Sequence, residues 1–143
     1  MFRGEFRHSL DGKGRVIIPS RLRDGLGDRF VITRGLEKCI FVYPSAEWIR
    51  LEQKLRELTL AKEDPRAFNR LIFSGAMDAE ADKQGRILIP QYLREHAGIE
   101  KDVIIIGTGE RVEIWDETAW KEYFEKVNPK YEQLAEKLGD YNL

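Results

Sequence analysis

Apolar residues fall along this chain at two periods, and each predicts its own kind of element. Short runs rich in β-branched residues read as strands at 16–18, 30–33, 39–43, 87–89, 102–106 and 112–115. The runs Val-Ile-Ile at 16–18 and Ile-Leu-Ile at 87–89 are too uniformly apolar to leave either face in water. Pro19 and Pro90 end those two strands and open brief helices at about 20–26 and 91–97, with Gly27 and Gly98 as C-terminal stops. Elsewhere the period lengthens to that of a helix. Trp48, Leu51, Leu55 and Leu58 form one stripe across 44–60. Asp64-Pro65 caps a second helix with Phe68, Leu71 and Ile72 inward, closed by Ser74-Gly75. Asp116 caps a third, bearing Trp120, Phe124 and Val127 until Pro129 interrupts, and Tyr131, Leu134, Ala135 and Leu138 predict a last helix ending at Gly139. These stripes read as core or subunit interface and not as a cofactor box, since each large apolar side chain gains about 1.5–3 kcal/mol on burial.

Sliding the sequence against itself reveals an internal repeat. Residues 11–23, Asp-Gly-Lys-Gly-Arg-Val-Ile-Ile-Pro-Ser-Arg-Leu-Arg, recur at 82–94 as Asp-Lys-Gln-Gly-Arg-Ile-Leu-Ile-Pro-Gln-Tyr-Leu-Arg, an offset of 71. With one inserted residue the match continues through Val31 and Val103, Gly35 and Gly107, and Trp48 and Trp120. Two copies are too few for a solenoid. They predict a pseudo-twofold α+β domain with a mainly β core and peripheral helices, in which each half supplies strands the other needs.

Composition narrows the chemistry. Apolar residues make up 42% and charged residues 34% of the 143, as in a soluble globular protein. The single Cys39 excludes an internal disulfide or a Cys-rich zinc site and suits a reducing cytosol, where its apolar strand would leave it inert. The charged opening of the chain lacks the apolar stretch of a signal peptide, and no run is long enough to span a membrane, so a cytoplasmic location is expected. His8 and His96 lack metal-ligand spacing, and no nucleotide-binding or nucleophile-elbow motif occurs. Asp11 and Asp82 could be imagined as a proton-sharing dyad. Each has an arginine four residues on, however, and a nearby cation lowers a carboxyl pKa, the reverse of what sharing requires. The expectation is a protein that is not an enzyme and needs no cofactor, metal or small-molecule substrate.

The formal charge of -1 hides a gradient. Residues 1–23 hold six basic side chains against Glu5 and Asp11, net +4, whereas 110–143 are net -4. Asp and Arg four apart across a glycine-containing turn can pair bidentately, and the pairs Asp11–Arg15 and Asp82–Arg86 can serve simply as staples of their turns. In the first copy Lys13 stands between two glycines, so it and Arg15 can also project toward phosphates, with Arg3, Arg7, Arg21 and Arg23 nearby in sequence. A two-stranded ribbon fits the DNA major groove without a recognition helix. In the second copy Gln84 replaces Lys13 and Tyr92 replaces Arg21, and DNA reading is therefore assigned to the first half.

The doubled Asp-x-x-x-Arg followed by Val-Ile-Ile-Pro or Ile-Leu-Ile-Pro resembles the AbrB-type swapped-hairpin DNA-binding domain. Two copies in one chain, the opening Phe2-Arg-Gly-Glu, and Phe-Ser-Gly-Ala at 73–76 are similar to the MraZ family of transcriptional regulators. The resemblance runs from Phe2 to about Tyr123. It implies a pseudo-twofold swapped-hairpin (double-split) β-barrel, with AbrB-like halves at 5–47 and 76–119, a helical connector at 48–75 and a helical acidic tail at 120–143. It further implies a homo-oligomeric ring that binds repeated promoter boxes of double-stranded DNA. The genes regulated would be the division and cell wall cluster, its own gene included, and the location cytoplasmic and nucleoid-associated. Asp11, Arg15, Asp82 and Arg86 carry over as the signature. A different class of reading is an antitoxin-like or scaffold protein whose acidic tail grips a basic protein partner.

Overall fold

The computed structural model describes residues 1–139. The first repeat supplies β1 (Glu5–Ser9), β2 (Arg15–Ile17), α1 (Ser20–Leu26), β3 (Phe30–Arg34) and β4 (Ile40–Pro44). Two longer helices follow, α2 (Ser45–Arg56) and α3 (Glu63–Ser74). The second repeat gives β5 (Met77–Ala79), β6 (Arg86–Leu88), α4 (Gln91–Ala97), β7 (Asp102–Gly107) and β8 (Val112–Asp116). The chain continues as α5 (Glu117–Val127), a single 3-10 turn forced by Pro129, and α6 (Tyr131–Glu136).

Six strands form one antiparallel sheet in the order β1-β7-β8-β4-β3-β5, and β2 pairs with β6 as a separate ribbon. The halves exchange strands. The first strand of the first repeat, β1, lies on β7 of the second, and the first strand of the second repeat, β5, lies on β3 of the first. The expected β-barrel is not closed: β1 and β5 are the two edges of the sheet and do not pair with each other. The physical reason is that the chain leaves each edge strand directly into a turn and then into the ribbon, which satisfies its own backbone groups by pairing β2 with β6.

The strict alternation of strands divides the core in two. Ile32, Ile40, Val42, Val103, Ile105, Val112 and Ile114 meet Val16, Ile18, Ile87, Ile89, Leu22 and Leu93 beneath the ribbon and the short helices. Val31, Phe41, Tyr43, Ile104, Ile106 and Trp115 line the other face, covered by α2, α3 and the aromatic side chains of α5. The sheet is thus buried on both faces, which explains the near-continuous apolar runs.

Several local expectations need correction. The ribbon is buried on one face only: Val16 and Ile87 are inside, whereas Ile17 and Leu88 are 44% and 54% exposed, because nothing covers its outer side. Helix α3 starts after Lys62 and not at an Asp64 cap, with Asp64 instead inside the first turn, where the helix dipole favours a carboxylate. Of its expected inward residues Ile72 is buried, while Phe68 and Leu71 face outward. Phe124, Tyr131, Leu134 and Leu138 are also exposed within one chain, and α6 ends at Glu136. Asp116 does cap α5, its Oδ2 accepting from the Ala119 N–H at 3.1 Å. Residues 140–143 of the expected acidic tail lie outside the described residues.

Candidate nucleic-acid interface

Each Asp-x-x-x-Arg segment is a loop closed on itself. The Asp11 N–H donates to the Arg15 carbonyl at 2.8 Å, and the Gly14 N–H donates to the Asp11 carbonyl at 3.1 Å. Asp11 Oδ1 accepts from the N–H groups of Lys13 and Arg15, both at 2.9 Å, and Oδ2 accepts from Arg15 Nε at 2.7 Å. Asp82 repeats this with Gln84, Arg86 and Arg86 Nε at 2.9, 2.9 and 2.8 Å. Both Asp–Arg pairs are therefore staples of their turns. The backbone N–H of Arg15, aided by that of Lys13 and by the Arg15 side chain, brings the Asp11 carboxyl down to about 2. Asp82 is lowered in the same way, first by the Arg86 N–H. Two carboxylates held this firmly ionised are the opposite of a shared-proton dyad.

Gly14 has φ of +78°, a conformation that suits glycine, and Gly85 matches it. At Gly12 a side chain would meet open space, so the tip of the first turn is unobstructed. Lys13 is exposed there, and among the described residues the outer guanidinium nitrogens of Arg15 have no hydrogen-bond acceptor. The two turns are locked to each other: the Ile18 N–H donates to the Gly85 carbonyl and the Ile89 N–H to the Gly14 carbonyl, both at 2.9 Å.

The six basic residues of the first 23 do not gather on one patch. Lys13 and Arg15 share the first turn. Arg7 lies on β1, hydrogen-bonded to Glu117 of α5 and 3.7 Å from Asp102, and the Glu117 carboxylate raises its pKa. Arg21 borders a hollow with Phe2, Glu47 and Glu110. Arg3 is exposed on the segment before β1, its backbone against Gly107. Arg23 reaches across to the second half, its guanidinium filling the space beside Gly85.

Sequence reasoning missed the converse contact, in which Arg94 of α4 lays its guanidinium beside Gly14 of the first turn. The repeat carried the signal, because Arg23 and Arg94 are equivalent positions, but only the crossing of the halves turns it into proximity. Lys83 was also undervalued. It occupies the place of Gly12, so the second turn, with Lys83 and Arg86, has as many cations as the first.

Other reactive groups lie apart. Cys39 is buried, its thiol hydrogen-bonded to the Leu36 carbonyl at 3.2 Å, and burial pushes its pKa up. A ring nitrogen of His96 lies 3.0 Å from the Gly35 carbonyl. Among the described residues no group of three or more His, Cys, Asp or Glu is placed to hold a metal ion, and no helix is long and apolar enough to cross a membrane.

Comparison with known proteins places this geometry. A family profile described as "MraZ protein, putative antitoxin-like" matches twice, at residues 1–71 and 72–140, one match on each repeat. A protein of Heliobacterium modesticaldum named Transcriptional regulator MraZ is 57% identical over 143 residues, covering all of both chains. One of the same name from Natranaerobius thermophilus is 54% identical over the same span, and another from Acetivibrio thermocellus is 56% identical over 97% of both chains. With two profile matches spanning the repeats and full-length relatives above half identity, the chain belongs to the MraZ family.

Proposed function

We propose that the chain is a sequence-specific DNA-binding regulator of transcription that reads duplex DNA with the turn at residues 11–15 and draws its affinity from self-association. The observation that carries this reading is the economy of that turn. Asp11 spends its carboxylate inside the loop, which holds Lys13 and the outer guanidinium of Arg15 at an open tip. Membership in a family whose relatives are named transcriptional regulators supports the same reading.

Lys13 and Arg15 make the close contacts, and Arg3, Arg7 and Arg21 add to the positive field around them, whereas Arg23, expected at DNA from the sequence, lies on the opposite turn beside Gly85 and is left out of the contact set. Asp11, Asp82 and Arg86 are turn staples. The reciprocal strand exchange supports AbrB-type swapped-hairpin halves at 5–47 and 76–119, with 48–75 as connector and 120–143 as an acidic end turned away from DNA. A single turn of this charge binds DNA at the non-specific level, roughly 10⁻⁴–10⁻⁶ M. A ring of copies on repeated promoter boxes gains about 10²–10⁴ from linked binding when box and subunit spacing agree. The regulated promoter is that of the division and cell wall cluster, its own gene included, acted on in the cytoplasm at the nucleoid by occlusion, without cofactor or catalysis.

A gel-shift titration on DNA upstream of the chain's own gene, with box number varied and mass followed by light scattering, tests this. Affinity should climb with box number and fall steeply with salt, and Arg15→Ala should weaken it about 10–100-fold. Salt-independent binding, or normal binding by Arg15→Ala, would overturn it. The antitoxin-like wording of the family description favours one second reading, capture of a basic protein by the acidic end, for which a stoichiometric partner that competes with DNA is the distinguishing result.

A further inference from the structure

We propose that Arg94, carried by the second half, completes the phosphate site at the tip of the first turn, whereas its repeat counterpart Arg23 has no such part in DNA binding. The inference rests on the reading of that turn as a DNA contact. It assigns to one phosphate a grip from both halves of the chain.

The geometry is reciprocal but the electrostatics are not. A β-carbon on Gly14 would collide first with the Arg94 guanidinium, and a β-carbon on Gly85 with that of Arg23. Each arginine therefore lies on the turn of the opposite half, and the paired Ile18–Gly85 and Ile89–Gly14 hydrogen bonds fix that juxtaposition. Around Gly14 the neighbours in sequence are Lys13 and Arg15, so Arg94 is the third cation at one loop. The only carboxylate of that loop, Asp11, is already used by the loop itself. Among the described residues neither Lys13 nor Arg94 forms an ion pair. Like charges gathered without a counter-ion raise the local concentration of anions.

Arg23 likewise forms no ion pair among the described residues, but the groove beside it is more acidic. That groove is lined by Asp24, Asp28, Glu80 and Asp82. Asp24 and Asp82 have acidic repeat counterparts in Glu95 and Asp11, and Glu100 adjoins the place equivalent to Asp28, so the residue that sets this groove apart is Glu80, at whose repeat position stands the uncharged Ser9. Asp82 is spent inside its own loop just as Asp11 is, so it is the carboxylate of Glu80 that adds a negative field beside Arg23 and disfavours a phosphate there, a field that Ser9 does not give Arg94. The difference between the halves lies in what surrounds each borrowed arginine, and not in the number of cations in the turns.

The experiment compares full-length Arg94→Met and Arg23→Met, which keep an unbranched apolar stem against the glycine and remove the charge. Both are titrated by fluorescence anisotropy against a labelled duplex from upstream of the chain's own gene, over a range of salt. Arg94→Met should bind about 10–100-fold more weakly. Its log affinity against log salt should flatten by about 0.9 for each turn engaged. Arg94→Lys should restore the slope. Arg23→Met should stay within about 2-fold of the parent with its slope unchanged. Equal losses in the two Met variants, or a parental slope in Arg94→Met, would overturn the inference. If Arg94→Met does not fold, Arg94→Gln takes its place under the same criteria. Arg15→Ala run alongside separates the levels. Loss on Arg15→Ala with normal Arg94→Met defeats this inference alone, whereas a parent insensitive to salt and to Arg15→Ala defeats the DNA reading as well.

Discussion

Thr33 is the one fully buried hydroxyl of β3, and its substitution measures how α3 is fastened to the sheet. The last carbonyls of any helix lack partners inside it. In α3 the Leu71 carbonyl accepts from Arg34 Nη1 at 2.8 Å, and the Ile72 carbonyl accepts from Thr33 Oγ1 at 2.6 Å. Neighbouring residues of one strand thus close the end of the helix. Thr33→Val keeps the shape and removes the donor, leaving the Ile72 carbonyl buried and unmatched at about 1–3 kcal/mol. Thr33→Ser keeps the donor and deletes one buried methyl, about 0.5–1.5 kcal/mol. With a urea slope of about 2 kcal/mol per molar, Thr33→Val should lower the unfolding midpoint by about 0.5–1.5 M at fixed protein concentration, with the slope unchanged. Thr33→Ser should lose less. A valine variant as stable as the parent, or a serine variant that loses more than valine, would refute the argument that this bond fastens the helix.

Three further outcomes are expected. The Asp11 carboxyl, ordinarily near 3.8, sits at about 2 in the fold, so its staple is complete above pH 4 and is lost as pH falls from about 4 to 2. Protection of the Lys13 and Arg15 amides, taken relative to their intrinsic exchange rates at each pH, should fall across that window, and an Asp11→Asn variant should show no such step. Gly85→Ala should cost more than Gly98→Ala, since both have positive φ but only the former drives a β-carbon into an arginine; in an Arg23→Ala background, denaturant unfolding should show that the excess shrinks. Cys39 should resist a thiol reagent in the native protein and react only after unfolding, as its burial and raised thiol pKa require.

Local chemistry made part of this fold legible in the chain. Pro19 and Pro90 before, and Gly27 and Gly98 after, fixed the limits of α1 and α4 to the residue, because those signals act within a helical turn. The Asp–Arg staples were equally readable, being contacts across four residues. What escaped was non-local. Strand β1 is largely polar and β5 only three residues long, so the identity of these edge strands comes from the partner they lie on, and no hydrophobic period marks them. Ile17 and Leu88 look like core residues in sequence and are exposed because the ribbon has a single covered face. Arg7 and Arg23 sit near Lys13 along the chain, yet β1 delivers the former to Glu117 and α1 the latter to the opposite turn. Proximity in sequence is a poor guide wherever the halves cross.

That crossing also sets a timetable for the newborn polypeptide. Ser9 must wait for Asp102, 93 residues later, before their side chains can meet. At ribosomal speeds of about 5–20 residues per second that is roughly 5–20 s. Until then β1 lacks β7, the strand it lies on, and a chain released between the repeats has no β7 of its own. A half-length product therefore keeps β1 without the partner that β7 supplies in the full chain.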